Sequence, residues 1–187
     1  ALANFGPAPW IHSMHWSSVD WLAHEQLRGN FLGRRSGVPG ERAPYWTNPN
    51  QLASYDFTFG RRIAWKWAAV LDPLFARGWT VPARQLVDWG CGTGIGARSL
   101  LAYAPPGSFD EILLWDYAPA ATTFANDAIR TRYPDLNVRV IDPAIAVRDG
   151  EFILVVSHVL NELDSAGFDA LLALPRRAAA VLWVEPG

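Results

Sequence analysis

The segment V-D-W-G-C-G-T-G-I-G-A-R-S, residues 87–99, constrains the fold of this chain more than any other part of the sequence. It joins an apolar run to a helix-like stretch through four glycines at alternate positions, Gly90, Gly92, Gly94 and Gly96. Glycine allows left-handed backbone conformations and lets the backbone approach a ligand closely. A strand, a glycine loop and a helix in this order predict an α/β sheet that binds a ligand at the carboxyl ends of its strands.

Strands and helices alternate from residue 84 onward. Five apolar runs are predicted as strands: R-Q-L-V-D-W, E-I-L-L-W-D, N-V-R-V-I-D, E-F-I-L-V-V-S and A-A-V-L-W-V-E. Helices are predicted at 94–103, 119–132 and 164–174, the last capped by Asp164 or Ser165. Apolar strands separated by helices are typical of a parallel sheet covered on both faces. The predicted fold class is therefore α/β. The glycine loop after the first strand favours a Rossmann-like, doubly wound and mainly parallel sheet, for which the strand order 3-2-1-4-5 is typical.

The first sixty residues differ in composition from the rest of the chain. Proline, glycine, asparagine and serine are frequent there, which predicts loops, but the aromatic residues favour burial over disorder. We predict a helical and loop-rich N-terminal cap over residues 1–60, with a helix at 21–28, and a ligand-binding domain over residues 61–187. A further helix is expected from Arg62, and Pro73 is expected to end or kink it.

The acid before the glycines bears on the identity of the ligand. Gly92, Gly94 and Ala97 satisfy the G-x-G-x-x-G/A pattern of dinucleotide sites, but Asp88 completes the pattern D-x-G-x-G-x-G. A carboxylate beside a pyrophosphate is unfavourable, because like charges repel. It suits S-adenosylmethionine (SAM), which carries an α-amino group and a cationic sulfonium but no phosphate. An NAD-dependent oxidoreductase is the distant alternative.

The segment V-D-W-G-C-G-T-G resembles motif I of class I SAM-dependent methyltransferases. The resemblance implies that Asp116, at the end of the second strand, binds both ribose hydroxyls, and that Asp142, after the third strand, lies against the adenine amine. Asp88 and the loop would hold SAM as well. Further cofactor contacts are expected from Gly90, Cys91, Gly92, Thr93, Gly94, Tyr117 and Ser157. The family's sheet has two more strands, six and seven, which we expect to be absent because the sequence stops after the fifth.

The segment S-H-V-L-N-E-L follows the fourth predicted strand, where this fold faces the methyl group and the acceptor. His158, Asn161 and Glu162 are the candidate acceptor-side residues, and a histidine with a pKa of about 6.5 suits a general base. Methyl transfer is an in-line displacement, which alignment alone can promote. The alternative is structural: Asn161 and Glu162 cap the next helix and His158 packs beneath it. Asp88 and Asp142 have similar alternatives, as a helix-capping acid and a turn acid.

S-H-V-L-N-E-L and the closing V-L-W-V-E-P-G together resemble a methyltransferase-like family related to mitochondrial-type small-ribosomal-subunit proteins. The resemblance covers residues 84–187 and implies a role on small-subunit ribosomal RNA or in ribosome assembly. Members often continue into a cysteine-bearing segment that can hold an iron–sulfur cluster. That segment is not in this sequence, so no metal site is predicted. The N-P-P-Y type motif of many base-amino methyltransferases is also missing, which argues against exocyclic-amine chemistry by that route.

The N-terminal part of the chain offers a candidate RNA surface. Residues 1–87 hold nine Lys or Arg and five Asp or Glu, whereas residues 88–187 hold seven and thirteen. Contact with single-stranded RNA is one interpretation of a group of arginines and aromatics, and a solvated loop is the other; the group is Arg28, Arg34, Arg35, Arg42, Tyr45 and Trp46. Tyr55 or Phe59 is expected either to line the cofactor pocket or to pack in the core.

The histidines and the single cysteine do not predict a metal site. His12 and His15 have the H-x-x-H spacing of zinc ligands, with His24 further on, but structural or surface histidines are the default interpretation. One cysteine excludes an internal disulfide and fits a reducing cytosol. No apolar run reaches the length of a membrane helix, and no signal peptide is evident. We therefore expect a cytoplasmic protein with no membrane partner.

The main functional hypothesis is a class I SAM-dependent methyltransferase that acts on RNA or in small-subunit assembly. A small-molecule methyltransferase is an alternative, because the acidic C-terminal half and the many aromatic residues suit an apolar acceptor pocket. A SAM-binding assembly factor without transferase activity is a second alternative. The sequence indicates neither the acceptor atom nor the oligomeric state.

Overall fold

The computed structural model describes residues 15–33, 49–142, 147 and 149–186 of the 187-residue chain. The helices are α1 (Trp21–Gly33), α2 (Pro49–Ala76), α3 (Ile95–Tyr103), α4 (Pro119–Arg132) and α5 (Ser165–Leu172). The strands are β1 (Gln85–Trp89), β2 (Glu111–Trp115), β3 (Asn137–Val140), β4 (Phe152–Ser157) and β5 (Ala180–Val184). Short 3-10 turns cover Trp16–Ser18 and Leu160–Glu162.

The strands form one parallel sheet in the order β3-β2-β1-β4-β5. The predicted α/β class, the Rossmann-like sheet and its strand order are confirmed. Trp89 at the end of β1 lies level with Trp115 of β2 and with Val156 of β4. The carboxyl ends of these three central strands therefore meet at one edge, between the half of the sheet that holds β2 and the half that holds β4. Open α/β sheets bind ligands at such a point.

Side chains that alternate along the strands divide the core into two faces. Leu86 of β1 is buried with Trp67 of α2 and Ile95 of α3 on one face. Val87 is buried on the other face, with Leu171 of α5. The sheet is thus covered on both faces, as the near-continuous apolar strands predicted.

Helix α2 is longer than the sequence indicated. It begins at Pro49 and passes through Pro73 for another three residues. The expectation that Pro73 ends the helix is wrong. Pro73 cannot donate a backbone hydrogen bond, but it is exposed in the last turn, and the buried Trp67 and Leu71 pack the helix against the core. The predicted boundary between cap and domain falls inside α2, and the division itself stays a prediction.

The ends of the shorter elements follow local signals. Pro119 occupies the first turn of α4, and Asp164 caps α5 by accepting a hydrogen bond from the Gly167 amide at 2.8 Å. Strand β3 ends at Val140, two residues earlier than predicted. In the described parts of the chain, every helix is too short or too polar to cross a lipid bilayer.

Candidate cofactor and substrate site

A cleft lies at the carboxyl edge of the sheet, between the loop after β1, the end of β2 and the turn after β4. Its empty space, including the part open to solvent, is about 740 Å³. Most of the site residues predicted from the sequence line this cleft: Gly90, Cys91, Gly92, Thr93, Asp116, Tyr117, Ser157, His158 and Glu162. Their presence in one cleft is a finding of the structure, and their roles there stay predictions.

The glycine loop has a backbone conformation that favours glycine. Gly90, Gly92 and Gly94 have φ values of +69°, +52° and +77°. A Cβ on Gly90 would lie 2.4 Å from Cγ1 of Val159, and a Cβ on Gly94 would lie 3.0 Å from Cβ of Ala125. Those two glycines allow close packing of the loop on its neighbours. A Cβ on Gly92 would meet no atom within 4 Å, so Gly92 faces open space where a ligand can approach the backbone.

Asp116 connects the end of β2 to the glycine loop. One carboxylate oxygen accepts a hydrogen bond from the Gly92 amide at 2.9 Å, and the other accepts from the Ala118 amide at 2.9 Å. Burial raises the pKa of this carboxyl, although both amide hydrogen bonds act in the opposite direction. Each oxygen keeps a second lone pair, so the carboxylate can hold the loop and still accept hydrogen bonds from a ligand.

Asp88 does not reach the cleft. Its side chain is fully buried beneath the loop, and one oxygen accepts a hydrogen bond from the Ala97 amide, in the first turn of α3, at 2.9 Å. The other oxygen has no hydrogen-bond partner in the described structure. Because none of the side chain is exposed, Asp88 has in this conformation the alternative role, that of a helix-capping acid. Its expected contact with the cofactor stays a prediction.

We expect Asp88 to make the stability of the fold depend on pH. Burial raises the pKa of the Asp88 carboxyl to about 7. The Ala97 hydrogen bond lowers this pKa, and the charge of Asp116 raises it. The native state therefore binds more protons than the unfolded chain between about pH 4 and about pH 7. The contribution of Asp88 to the free energy of unfolding falls as pH rises through this window, by up to about 1.4 kcal/mol per pH unit. Urea unfolding of the wild type and of Asp88→Asn across this window measures the difference, because the amide does not ionise.

The matched control for this prediction is Asp142→Asn, since Asp142 is exposed. We expect that variant to keep the pH dependence of the wild type. Identical pH profiles for the wild type and for Asp88→Asn would show that Asp88 ionises normally in the fold.

Thr93 and Cys91 line the cleft from the loop. The hydroxyl of Thr93 is buried and has no hydrogen-bond partner in the described structure. A buried unpaired hydroxyl is unfavourable, so a ligand that pairs with it gains a hydrogen bond at little cost. Burial raises the pKa of the Cys91 thiol well above its usual range, which makes Cys91 a small neutral side chain and not a nucleophile at neutral pH.

Two stacked tryptophans form part of the cleft wall. Trp89 and Trp115 end β1 and β2, with ring centroids 4.5 Å apart and 22° between the ring planes. Such a pair offers an apolar surface to a planar group. Sequence reasoning did not single them out, although a tryptophan at the end of two successive strands was a visible signal.

The turn after β4 brings His158 and Ser157 against α2. His158 has φ +58°, a left-handed conformation that is rare for a residue with a side chain, and its amide donates to the carbonyl of Val184 at 2.9 Å. Its Nε2 lies 3.2 Å from Nζ of Lys66, and its Nδ1 lies 3.3 Å from Oγ of Ser157. Burial, and then the charge of Lys66, lower the pKa of His158 to about 4. The imidazole is therefore neutral at neutral pH.

Glu185, from the V-E-P-G segment, holds this turn in place. Its Oε1 accepts hydrogen bonds from the amides of Val159 and Leu160, at 3.2 and 3.4 Å, and from Nε1 of Trp183 at 2.9 Å. The sequence analysis used V-E-P-G only as a family signal. The structure shows that its glutamate fixes the turn after β4 from the end of β5.

Besides Asp88 and Gly94, two predicted site residues lie outside the cleft lining. Asn161 is exposed in the 3-10 turn, and Asp142 is exposed beyond the end of β3. Their expected contacts with acceptor and adenine stay predictions. Tyr55 does line the cleft. Burial raises the pKa of its hydroxyl, and the charges of Glu162, Asp56 and Asp116 raise it further.

A buried ion pair ties α2 to the glycine loop. Nη1 of Arg98 donates to Oδ1 of Asp56 at 2.7 Å and to the carbonyl oxygen of Thr93 at 3.2 Å. The side chains of Arg98 and Asp56 are 6% and 17% exposed. Sequence reasoning missed this pair, because 42 positions separate its members and no local pattern links them.

The zinc and RNA interpretations fall largely outside the described residues. His12, Arg34, Arg35, Arg42, Tyr45 and Trp46 lie outside them, as does the side chain of Arg28. His24 stacks on Phe59, with ring centroids 4.8 Å apart and 3° between the planes, which is a packing contact. Among the described residues, no group of three or more His, Cys, Asp or Glu side chains is arranged to hold a metal ion.

Comparison with known proteins identifies the fold. No protein-family profile and no curated protein sequence matches the chain. The CurJ carbon methyltransferase superposes with a TM-score of 0.58 at 16% identity, over 89% of this chain and 48% of that chain. A protein from Methanococcus maripaludis, described as a SAM-dependent methyltransferase, superposes with a TM-score of 0.50 at 15% identity, over 72% of this chain and 61% of that chain. The chain has a Rossmann-like methyltransferase fold.

The methyltransferase fold accounts for the sheet order and for the position of the cleft. This chain spans less than two thirds of the length of either compared structure. The narrower resemblance to mitochondrial-type small-ribosomal-subunit proteins finds no counterpart in these comparisons and stays a prediction.

Proposed function

We propose that this chain is a SAM-dependent methyltransferase domain whose cleft at the sheet edge holds the cofactor. The observation that carries the proposal is Asp116, a carboxylate that lines the cleft at the end of β2 and holds the amide of Gly92. A carboxylate can accept hydrogen bonds from both hydroxyls of a ribose. The resemblance of the loop to motif I supplies this role for Asp116.

The cleft residues fit SAM better than a dinucleotide. Asp116 and Glu162 are acidic, and the described lining includes neither arginine nor lysine. These carboxylates would repel a pyrophosphate, whereas they would attract a sulfonium and an ammonium group. In this proposal Asp116 holds the ribose, and Thr93 and the backbone at Gly92 hold the amino-acid end. When bound, SAM supplies an electrophilic methyl group on its sulfonium sulfur.

The protein's own contribution is to orient the reacting groups and to exclude water. Arg98 and Asp116 fix the loop from two sides, and Trp89 and Trp115 keep one wall of the cleft apolar. His158 is neutral, so it places no positive charge beside a sulfonium. Holding two reactants in line is enough to supply a large part of the rate of a displacement.

RNA, or an assembling small ribosomal subunit, is the acceptor that we propose. Two exposed tryptophans support it: Trp16 and Trp21 are 55% and 53% exposed, and their rings stack with 7° between the planes. The guanidinium of Arg61 lies 5.9 Å from the ring centre of Trp16. Exposed aromatic faces beside a cation suit the stacking of unpaired bases.

A small-molecule acceptor is the second candidate, and the stacked pair of Trp89 and Trp115 favours it. Both residues line the cleft, and a planar acceptor would contact this wall at Trp115, the less buried of the two. A SAM-binding assembly factor would bind the cofactor with the same residues and transfer nothing.

Isothermal titration calorimetry tests the cofactor assignment. We expect SAM and its demethylated product, S-adenosylhomocysteine, to bind with micromolar Kd, and NAD⁺ to bind at least about a hundredfold more weakly. The physical reason is that the described lining of the cleft includes acidic side chains but no arginine or lysine. Tighter binding of NAD⁺ than of SAM would revive the oxidoreductase alternative.

Labelled methyl transfer separates the acceptor candidates. Binding to small-subunit RNA that weakens steeply with salt, together with labelled RNA, supports the RNA acceptor. Labelling of small molecules in a cell extract, without RNA binding, favours the second candidate. Tight SAM binding with no labelled product in either preparation favours the assembly factor.

A further inference from the structure

A set of hydrogen bonds connects α2 to the acceptor side of the cleft. Nζ of Lys66 lies 3.2 Å from Nε2 of His158, and Nδ1 of His158 lies 3.3 Å from Oγ of Ser157. Nε1 of Trp67 donates to the same Ser157 oxygen at 3.0 Å. Ser157 and His158 both line the cleft, whereas Lys66 and Trp67 contact them without lining it. The sequence analysis gave Lys66 no role.

The two donor-only groups fix the direction of these hydrogen bonds. The ammonium of Lys66 can only donate, so Nε2 of His158 accepts and carries no proton. In a neutral imidazole the proton then lies on Nδ1, which donates to Ser157. The indole of Trp67 also donates to Ser157, so both lone pairs of the serine oxygen are used. The hydroxyl hydrogen of Ser157 is left to donate into the cleft.

The backbone conformation of His158 indicates that these hydrogen bonds belong to a functional site. The left-handed φ of His158 is strained for a residue with a side chain. The Val184 carbonyl holds its amide, and Glu185 holds the next two amides along the chain. Strained residues that their surroundings hold from several sides are typical of functional sites.

We propose that Lys66 is a positioning residue, which keeps the His158 proton on Nδ1 so that Ser157 donates its hydroxyl hydrogen to the methyl acceptor. This inference rests on the proposed function of the cleft. His158 is then not the general base, because the ammonium occupies its free nitrogen. The acceptor is a molecule that presents a lone-pair oxygen, such as a carbonyl, to Ser157. Ser157 accordingly contacts the acceptor and not, as the sequence indicated, the cofactor.

Nitrogen-15 NMR of histidine-labelled protein reads this imidazole directly and needs no cofactor. We expect wild-type His158 to show a protonated Nδ1 and a bare Nε2, and to stay neutral down to about pH 5. In Lys66→Met the neighbouring charge is gone, so the pKa of His158 is expected to rise by about one unit. The tautomer with its proton on Nε2 is also expected to appear. The other ionisable groups near the turn, Tyr55, Asp116, Glu162 and Glu185, are the same in both proteins.

The signal of His158 is assigned as the one that is lost in His158→Gln. Two matched variants serve as controls for the NMR experiment. Lys66→Arg keeps a donor-only cation and should keep the Nδ1 proton. Arg62→Met removes an exposed cation from the same helix and should change nothing. A wild-type His158 protonated on Nε2, or a Lys66→Met variant with the wild-type tautomer and titration, overturns the proposal. SAM affinity, measured on the same variants, is a separate readout. If none of the proteins binds SAM, the proposed function of the cleft is contradicted, whereas the proposed role of Lys66 is still decided by the NMR result.

Benzamide, a small probe with a carbonyl oxygen, tests the class of acceptor. We expect wild-type protein saturated with S-adenosylhomocysteine to bind benzamide, and Ser157→Ala to bind it about tenfold more weakly because one hydrogen bond is lost. Ser108→Ala, which changes a half-buried serine outside the cleft lining, is the control and should match the wild type. Equal affinity of the wild type and Ser157→Ala, or no binding to either, contradicts an oxygen acceptor at Ser157.

Discussion

Asp116→Ala is expected to weaken binding of S-adenosylhomocysteine by about a hundredfold. The substitution removes the carboxylate that we place against the ribose, and two charge-assisted hydrogen bonds together are worth about 3 kcal/mol. It also releases the amide of Gly92, which Asp116 holds at 2.9 Å, so the loop loses a fixed point beneath the ligand. Calorimetric titration of the wild type and the variant under the same conditions measures the change.

Two further variants separate the ribose contact from the support of the loop. Asp116→Asn keeps one carbonyl oxygen for the loop but loses the charge, and we expect an intermediate affinity. Asp135→Ala changes an exposed carboxylate before β3 that has no predicted role in the site, and should leave the affinity within about twofold. An Asp116→Ala variant that binds the nucleoside as tightly as the wild type rules out the ribose assignment.

Arg98→Met is expected to lower the free energy of unfolding by about 3–5 kcal/mol, because removing one member of a buried ion pair leaves the other charge without a partner. Nη1 of Arg98 lies 2.7 Å from Oδ1 of Asp56, and the two side chains are 6% and 17% exposed. Arg98 also donates to the carbonyl of Thr93, so the variant frees the glycine loop. Chemical denaturation monitored by tryptophan fluorescence gives the change in stability.

The double variant Arg98→Met/Asp56→Leu removes both charges and should recover part of the loss, since no buried charge remains unpaired. The surface pair of Arg84 and Asp110 is the matched control, with side chains 64% and 63% exposed. Arg84→Met should leave the free energy of unfolding close to that of the wild type, because an exposed ion pair contributes little to stability. A loss in Arg98→Met no greater than that of Arg84→Met would mean that the buried pair does not hold the fold together.

The sequence predicted the features that repeat locally along the chain. Apolar runs separated by helical stretches were sufficient for the parallel sheet, and the strand order followed from the doubly wound fold that the glycine loop indicated. The alternate glycines and Asp116 are local in the same sense, because parallel strands bring their carboxyl ends to one edge. The structure accordingly places Gly92 and Asp116 together in the cleft.

The remaining features depend on contacts between distant parts of the chain. Asp88 has the spacing of a ligand-binding acid, but its burial depends on how α3 packs over the loop. The pairing of Lys66 with His158 joins residues 92 positions apart, and no local pattern carries it. Pro73 is a local signal for a helix end, and the tertiary packing of Trp67 and Leu71 outweighs it.

A crystal structure of the chain with S-adenosylhomocysteine tests the central claim most directly. The account predicts the nucleoside in the cleft, with both ribose hydroxyls on Asp116 and the amino-acid end over Gly92 and Thr93. It also predicts that the sulfur faces the side of Ser157 and His158. A nucleoside bound elsewhere, or a ribose without contact to Asp116, would contradict the account.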